Sequence, residues 1–391
     1  MQFANLVIGI PREIMPGEKR AAAVPETVGK MTAAGAVVLV ETGAGSGAFI
    51  KDESYREKGA EIVTDVRDLY NRSDLIMKVK EPRFNEKIGR HEAELIREKS
   101  VLVAFLHPAN PLNHEAVKIL AERGITSYTL DGIPRISRAQ QMDALTSMST
   151  VAGYKAVIFA ANRLGRFIPM MPTSFGIIQP ANFLVIGTGV AGLQAIATAK
   201  RLGAKVKTLD IRPEANEQAR SLGAENIEFD IPGDLAIGKG GYARRLPEEW
   251  YEREREILAP HVEQSDAVIL TALIPGEMAP KIIDEPLVRK MNRGSVIVDI
   301  AVDQGGNCTL TRSGEDYLFE GVTISGILNI PATLPIDATS MFAQNAWHFV
   351  SYIVQEGRFK TDTGDEIIHS TLVTCDYKIV HHGTLLAMGL A

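Results

Sequence analysis

The stretch Phe183-Leu-Val-Ile-Gly187-Thr188-Gly189-Val190-Ala191-Gly192 decides the fold, together with a second apolar run over residues 205–209 that ends in Asp210. Each part has a separate physical job. The apolar run reads as a buried parallel strand. Gly187 allows the tight turn, Gly189 lets a pyrophosphate approach the backbone, and Gly192 lets the next helix pack close to the strand. That helix, predicted over residues 190–202, aims its free N–H groups and positive dipole end at the phosphates. Asp210 is placed to hold ribose hydroxyls and to repel a 2′-phosphate, which favours NAD over NADP, although Arg212 pulls the other way. A glycine turn alone is common; the strand, helix and downstream acid together point to a dinucleotide site.

Working outward, 391 residues leave room for two domains with separate cores. A hydrophobic content of 45% and a charged content of 23% are ordinary for a globular protein. The net charge of −6, with no stripe of Lys or Arg to offset it, excludes a nucleic-acid partner. Cys308 and Cys375 show no metal-ligand spacing, so neither a metal site nor a disulfide framework is expected. Met1-Gln-Phe-Ala-Asn5 has no charged region ahead of an apolar core, and the apolar stretch 183–199 is interrupted by glycines. A soluble cytoplasmic chain without direct membrane insertion is the expectation.

Short β-rich runs at 6–10, 37–41, 75–80 and 101–106 alternate with helical patterns such as 25–34 and 114–123, which predicts a first α/β domain over 1–134. Residues 138–165 carry small and apolar residues at helical spacing and predict one long helix. Strands beginning near 183, 205, 227, 267 and 296 fill a second domain, 135–334. A tail with a helix over 340–356 completes the first domain through 335–391. The expected fold class is α/β, with two Rossmann-like doubly wound parallel-sheet domains and a cleft between them.

Fifty-five residues separate Asp210 from Asp266, where a strand-helix-strand unit needs about 30. The surplus holds Gly238-Lys-Gly-Gly-Tyr242-Ala243, which fits a mobile loop with a tyrosine tip or a solvated insertion equally well. Arg20, Lys80 and His107 fall where first-domain strands end or turn, and Asp303 where the strand from Val296 ends. Two cations can hold a carboxylate substrate, His107 can exchange protons near neutral pH, and Asp303 can stabilise an amine or iminium. Each alone also fits a surface ion pair or a structural histidine before Pro108; all four at strand ends favour a site. Arg135, Gln140 and Asp143 form a second polar set. Gln140 and Asp143 share a helix face, and capping would also explain Asp143.

By these residues the chain resembles the alanine dehydrogenase/nicotinamide nucleotide transhydrogenase superfamily over nearly its whole length. Ile8-Gly-Ile-Pro-Arg-Glu13, Pro16-Gly-Glu-Lys-Arg20, Val296-Ile-Val-Asp-Ile-Ala301 and the glycine fingerprint resemble both branches. The longer matches are to the transhydrogenase α-subunit branch. They are Pro134-Arg-Ile-Ser-Arg-Ala-Gln140, Ala152-Gly-Tyr-Lys-Ala156, Ala195-Ile-Ala-Thr-Ala-Lys-Arg-Leu-Gly203, Gly240-Gly-Tyr-Ala243, Thr271-Ala-Leu-Ile-Pro-Gly276 and Gly305-Gly-Asn-Cys308. Because the chain ends before any membrane segment, it is similar to the split α1 form, the NAD(H)-binding component of a proton-translocating enzyme.

The resemblance implies cofactor contacts at Gly187, Thr188, Gly189, Val190, Ala191, Gly192, Asp210, Ile211, Arg212, Thr146, Ala272, Leu273 and Tyr242, with Tyr242 on a loop that closes over NAD(H). It implies that Arg135, Gln140 and Asp143 lie beside the nicotinamide and face NADP(H) on a partner subunit, so that hydride passes directly between the rings. It further implies membrane-spanning α2 and β partner subunits, a homodimer, and a peripheral place on the cytoplasmic face of the inner membrane. A family serine after Asp143 is here Thr146. Lys78-Val-Lys-Glu-Pro82, Phe105-Leu-His107 and Asp299-Ile-Ala-Val-Asp-Gln-Gly-Gly306 resemble the other branch instead, matching its substrate lysine (Lys80), catalytic histidine (His107) and aspartate (Asp303), with Arg20 as its carboxylate-binding arginine. The alternative they imply is a free-standing NAD-dependent L-amino-acid dehydrogenase.

Overall fold

A computed structural model describes residues 2–238, 243–274 and 278–390. The chain divides into two compact units, Met1–Met148 with Ala332–Ala391, and Ser149–Pro331.

In the first unit the sheet order is Lys378–Ile379, Leu372–Cys375, Thr126–Thr129, Val101–Ala104, Leu75–Met77, Val7–Ile10, Val37–Glu41, Glu61–Val63. The six strands from Thr126–Thr129 to Glu61–Val63 are parallel. Numbered along the chain and read from Glu61–Val63 back to Thr126–Thr129 they run 3-2-1-4-5-6, so the order reverses between Val7–Ile10 and Leu75–Met77. That reversal is where a doubly wound sheet binds ligands. Val101–Ala104 and Leu75–Met77 are buried throughout, which is why they read as unbroken apolar runs. Leu372–Cys375 adds to this sheet antiparallel to Thr126–Thr129. There the Ser127 and Thr374 hydroxyls lie 2.6 Å apart in the interior, each removing the other's desolvation cost.

The second unit repeats the same order: Glu225–Asn226, Lys205–Leu209, Asn182–Ile186, Ala267–Leu270, Val296–Asp299, Val322–Ser325, with Asp316–Phe319 antiparallel at the edge. Apolar clusters fill both faces. One contains Phe183, Val185, Ile196 and Ile269, the other Leu184, Leu209, Leu258 and Val268. Successive strand residues point to opposite layers, as a two-sided parallel sheet requires.

Three elements differ from the sequence expectation. The single helix over 138–165 is broken: a 3-10 turn, Ser137–Met142, is followed by the α-helix Ala144–Arg163. The break sits at Asp143, whose carboxylate accepts from the Thr146 N–H at 2.8 Å and the Thr146 hydroxyl at 2.7 Å. An aspartate that satisfies orphan donors of the next helix ends the preceding turn. The unit boundary falls inside that helix at 148/149, where the sequence reading puts it at 134/135. Asn345 donates to the Gln141 carbonyl at 2.8 Å and Arg138 to the Tyr352 hydroxyl at 2.9 Å, which ties residues 137–143 to the first unit. The helix expected over 340–356 runs Pro335–Ile353, starting on a proline at its first turn. Ala144–Arg163 is apolar and long enough to cross a membrane by length and composition, and its Ala156, Val157 and Ala160 pack into a core cluster.

Candidate functional site

In the second unit the switch point lies between Asn182–Ile186 and Ala267–Leu270, and the glycine fingerprint follows the first of these strands directly. Gly187 has φ +87°, and a Cβ there would meet the Ala272 nitrogen at 2.9 Å. A Cβ on Gly192 would lie 1.9 Å from the Gly187 carbonyl, so only glycine lets the helix Val190–Arg201 start this close to the strand. Gly189 caps that helix without a side-chain hydrogen bond, and a Cβ on it would meet nothing within 4 Å. The first N–H groups of the helix therefore open onto space, the arrangement that receives an anion. Gly153 was not singled out from the sequence. A Cβ there would strike the Ala191 carbonyl at 2.0 Å, so Gly153 sets how closely Ala144–Arg163 packs under the fingerprint.

The Thr188 backbone N–H donates to Asp210 Oδ2 at 2.7 Å. Arg212 Nε donates to Asp210 Oδ1 at 2.9 Å, and Nη2 to Oδ2 at 2.8 Å. Hydrogen bonding to Asp210 is the main reason the Arg212 pKa is raised. The Thr188 side chain is buried, and its Oγ1 has no hydrogen-bond partner among the described residues. A buried orphan hydroxyl beside an open helix N-terminus fits a bound dinucleotide that would supply the missing partner. Asn307, fully buried, fixes the neighbouring loop: it donates to the Ala272 carbonyl at 2.8 Å and accepts from the Ala272 N–H at 3.0 Å. Leu273 is exposed and Val190, Ala191 and Ile211 are half-buried. Tyr242 lies outside the described residues.

The first unit brings Arg20 and Lys80 to its own switch point. Arg20 is buried and bound by Glu18, with Nε to Oε1 at 2.8 Å and Nη2 to Oε2 at 2.5 Å. The strand expected to reach Lys80 ends at Met77. Its continuation buries Lys78, which lies 3.3 Å from Glu13 and 3.1 Å from Glu92. Burial works to lower the Lys78 pKa, but the two carboxylates outweigh it and hold the ammonium above its usual range. Glu13 also accepts from the Val79 N–H at 2.6 Å and the Lys80 N–H at 3.4 Å, so it holds the segment that carries Lys80. Tyr70 completes the cluster by donating to Glu92 at 2.8 Å. Sequence reasoning missed this cluster, because its members are dispersed between residues 13 and 92.

His107 has φ +42°, a left-handed conformation that is uncommon outside glycine. Its N–H donates to Asp131 Oδ2 at 2.7 Å and its Nδ1 lies 2.8 Å from Asp131 Oδ1. Desolvation works to lower the imidazole pKa, and the Asp131 carboxylate overcomes it and raises it above the ordinary value. The ring stacks on Phe105 with centroids 5.9 Å apart.

In the second unit Asp303 does not end the Val296 strand. That place belongs to Asp299, which is buried and accepts from the Cys308 N–H at 3.0 Å and the Thr311 hydroxyl at 2.7 Å. Asp303 sits exposed in the following turn, Val302–Gln304. Arg135 and Gln140 are exposed or at the surface of the first unit, and Asp143 and Thr146 form the capping pair described above. Gln140 and Asp143 do not share a continuous helix, since the turn ends at Met142. Among the described residues no group of His, Cys, Asp and Glu could hold a metal ion.

The chain matches the family described as alanine dehydrogenase/PNT, N-terminal domain, over residues 9–152, and its C-terminal domain over 156–382. It is 43% identical over 378 residues to the first part of NAD(P) transhydrogenase subunit alpha of Rhodospirillum rubrum, covering 96% of this chain and 97% of that one. Alanine dehydrogenase 2 of Staphylococcus aureus is 33% identical over 340 residues, covering 85% and 83%. Among solved structures, transhydrogenase from Sinorhizobium meliloti superposes with a TM-score of 0.83 at 36% identity, covering 96% of this chain and all of that one. An L-alanine dehydrogenase gives 0.82 at 27% identity, covering 99% of this chain and all of that one.

Proposed function

The chain belongs to the alanine dehydrogenase/PNT family, and from that premise we propose that it is the NAD(H)-binding subunit of a proton-translocating transhydrogenase, passing hydride between NAD(H) and NADP(H) held on a partner subunit. Bound NAD(H) would supply the carbon that gives or takes the hydride. The chain's own residues bind and orient it. The open N–H groups after Gly189 take the pyrophosphate, Thr188 adds its hydroxyl, and Asp210 takes the adenosine ribose. Arg135, Gln140, Asp143, Thr146 and Tyr242 are assigned to the nicotinamide end, where direct transfer asks for positioning and exclusion of water rather than an acid or base. The partners in this reading are membrane-spanning α2 and β subunits and a second copy of the chain, which places it peripherally on the cytoplasmic face of the inner membrane.

Arg20 carries the choice between the two branches. One edge of its guanidinium, Nε with Nη2, is engaged by the internal carboxylate of Glu18, and Nη1 lies 3.0 Å from Met148 Sδ, whereas an amino-acid dehydrogenase would need a guanidinium edge for its substrate's carboxylate. The second reading, an L-alanine-like dehydrogenase using Arg20, Lys80, His107 and Asp303, is supported by the His107–Asp131 pair, which has the form of an oriented acid/base. Kinetics of the purified chain separate them. We expect NADH binding without NADPH preference, and hydride transfer only when the membrane subunits are added. Steady NADH formation from L-alanine by the chain alone would overturn the transhydrogenase reading.

A further inference from the structure

The helix Glu248–Glu263 turns Tyr251, Glu254, Leu258 and Val262 inward, a spacing of three to four residues that normally carries apolar side chains. Leu258 and Val262 do pack apolar, in one cluster with Leu209 and Ile227. Glu254 breaks the pattern: it is 2% exposed, and its carboxyl has no hydrogen-bond partner among the described residues. The helix leads into the strand Ala267–Leu270 and so runs antiparallel to the parallel strands. One turn back from Leu258 therefore moves towards the C-terminal strand ends, and one residue on from Leu209 is Asp210. The two acids converge from different elements at the adenosine end of the fingerprint.

We propose that Glu254 is a positioning residue of the dinucleotide site, backing Asp210 from the neighbouring helix where that carboxylate meets the ribose. The proposal rests on the NAD(H)-binding reading above. Two charged groups bear on Glu254 among the described residues, Asp210 from the strand end and Arg255 from its own helix. Arg255 is already bound to Glu248 at 2.6 Å and lies 3.9 Å from Asp284, while Arg212 is bound to Asp210. Burial first, then the Asp210 charge, pushes the Glu254 pKa up to about 8. The acid is therefore neutral at pH 7 and becomes a second buried anion behind Asp210 above its pKa. A ligand that brings two phosphate charges and covers the site raises this pKa further, because both effects disfavour the carboxylate. Linkage then makes affinity constant below the free-protein pKa and weaker as pH rises through it.

The test is a fluorescence titration of the full chain with NADH from pH 6.5 to 9.5. Wild type is expected to weaken fivefold or more across that interval, while Glu254→Gln, which keeps the shape without the titration, stays within twofold at every pH. Glu254→Met serves as a second non-titrating variant should the first misfold, and circular dichroism at each pH separates lost affinity from lost structure. Parallel profiles for wild type and both variants would overturn the positioning role while leaving NAD(H) binding intact. Failure of wild type to bind NADH at pH 7 would instead remove the reading on which the role rests, and the role with it.

Discussion

The Thr188 N–H and Asp210 Oδ2, 2.7 Å apart, tie the phosphate loop to the ribose acid. Twenty-two residues separate them, and the bond joins the ends of two neighbouring parallel strands, Asn182–Ile186 and Lys205–Leu209. A change at Asp210 therefore acts on the loop as well as on the sugar.

Replacing Asp210 with Ala removes the acceptor for Thr188, the partner of Arg212 and the candidate ribose ligand at once. Hydrogen bonds to a charged group contribute about 1.5–3 kcal/mol each, so NADH affinity should fall by roughly ten- to a hundredfold. The freed Arg212 guanidinium is matched to a phosphate, and the repulsion of a 2′-phosphate is gone. NADPH should consequently bind better to the variant than to wild type, relative to NADH. Parallel titrations with the two nucleotides check this, and an unchanged NADH/NADPH ratio would contradict the assignment of Asp210.

The His107–Asp131 pair gives a prediction with a sign. The imidazole pKa lies above its ordinary value because Asp131 faces Nδ1. Asp131→Asn should bring it down, as read from the pH dependence of the imidazole proton resonances. A histidine whose folded pKa is raised stabilises the fold below its unfolded pKa, and that contribution is lost as pH rises through the folded value. Under the transhydrogenase reading His107→Ala leaves hydride transfer with the reconstituted partner within about twofold of wild type, since direct transfer uses no acid or base. A loss of about a hundredfold, the lower range for removal of a general acid or base, would contradict direct transfer without His107.

The fingerprint was legible in the sequence because its demands are local. A positive φ at Gly187 and a 1.9 Å approach at Gly192 admit only glycine, and the acid follows at the end of the next apolar run. What escaped depends on partners distant in sequence. Lys78 and Lys80 look alike in Lys78-Val-Lys80, and only the arrival of Glu13 and Glu92 makes the first a buried charge. Asp143 has the capping role that its sequence also allowed, accepting from Thr146, and what escaped is that this cap breaks the long helix expected through it. Asp299 and Asp303 lie in one motif, and the strand register, pairing Leu270 with Asp299, decides which of them is interior.

Lys78→Met tests how far the first unit depends on that buried cluster. The substitution leaves Glu13 and Glu92 facing each other without a cation, and breaking a buried pair from one side costs about 3–5 kcal/mol. Burial already raises Glu13 to about 7, with Lys78 pulling it down, so removing Lys78 raises it further. A carboxyl with a raised folded pKa contributes stability that is lost as pH rises through that value. The penalty should therefore be larger at pH 8 than at pH 5.5 in urea unfolding, and equal penalties at the two would show that the charges are compensated otherwise.

A final prediction concerns the second copy of the chain. In the second unit, Met171–Thr173 and Gly176–Ile178 form a two-stranded antiparallel hairpin apart from the main sheet. It displays Phe175 at 84% exposure and Ile177 at 60%, with Met170 at 57% and Phe167 at 55% close in sequence. Two strands are marginal on their own in water, and a concentration of large apolar side chains on them marks an interaction surface. Under the proposed pairing with a second copy, a homodimer in which this hairpin is covered would account for both. Each buried Phe or Ile is worth about 1.5–3 kcal/mol, so replacing Phe175 and Ile177 with Asp and Lys removes several kcal/mol from the association. Sedimentation velocity should then show a dimer for wild type and a monomer for the double variant at the same concentration, with NADH binding retained because neither residue belongs to the fingerprint. A double variant that still sediments as a dimer would place the interface elsewhere on the chain.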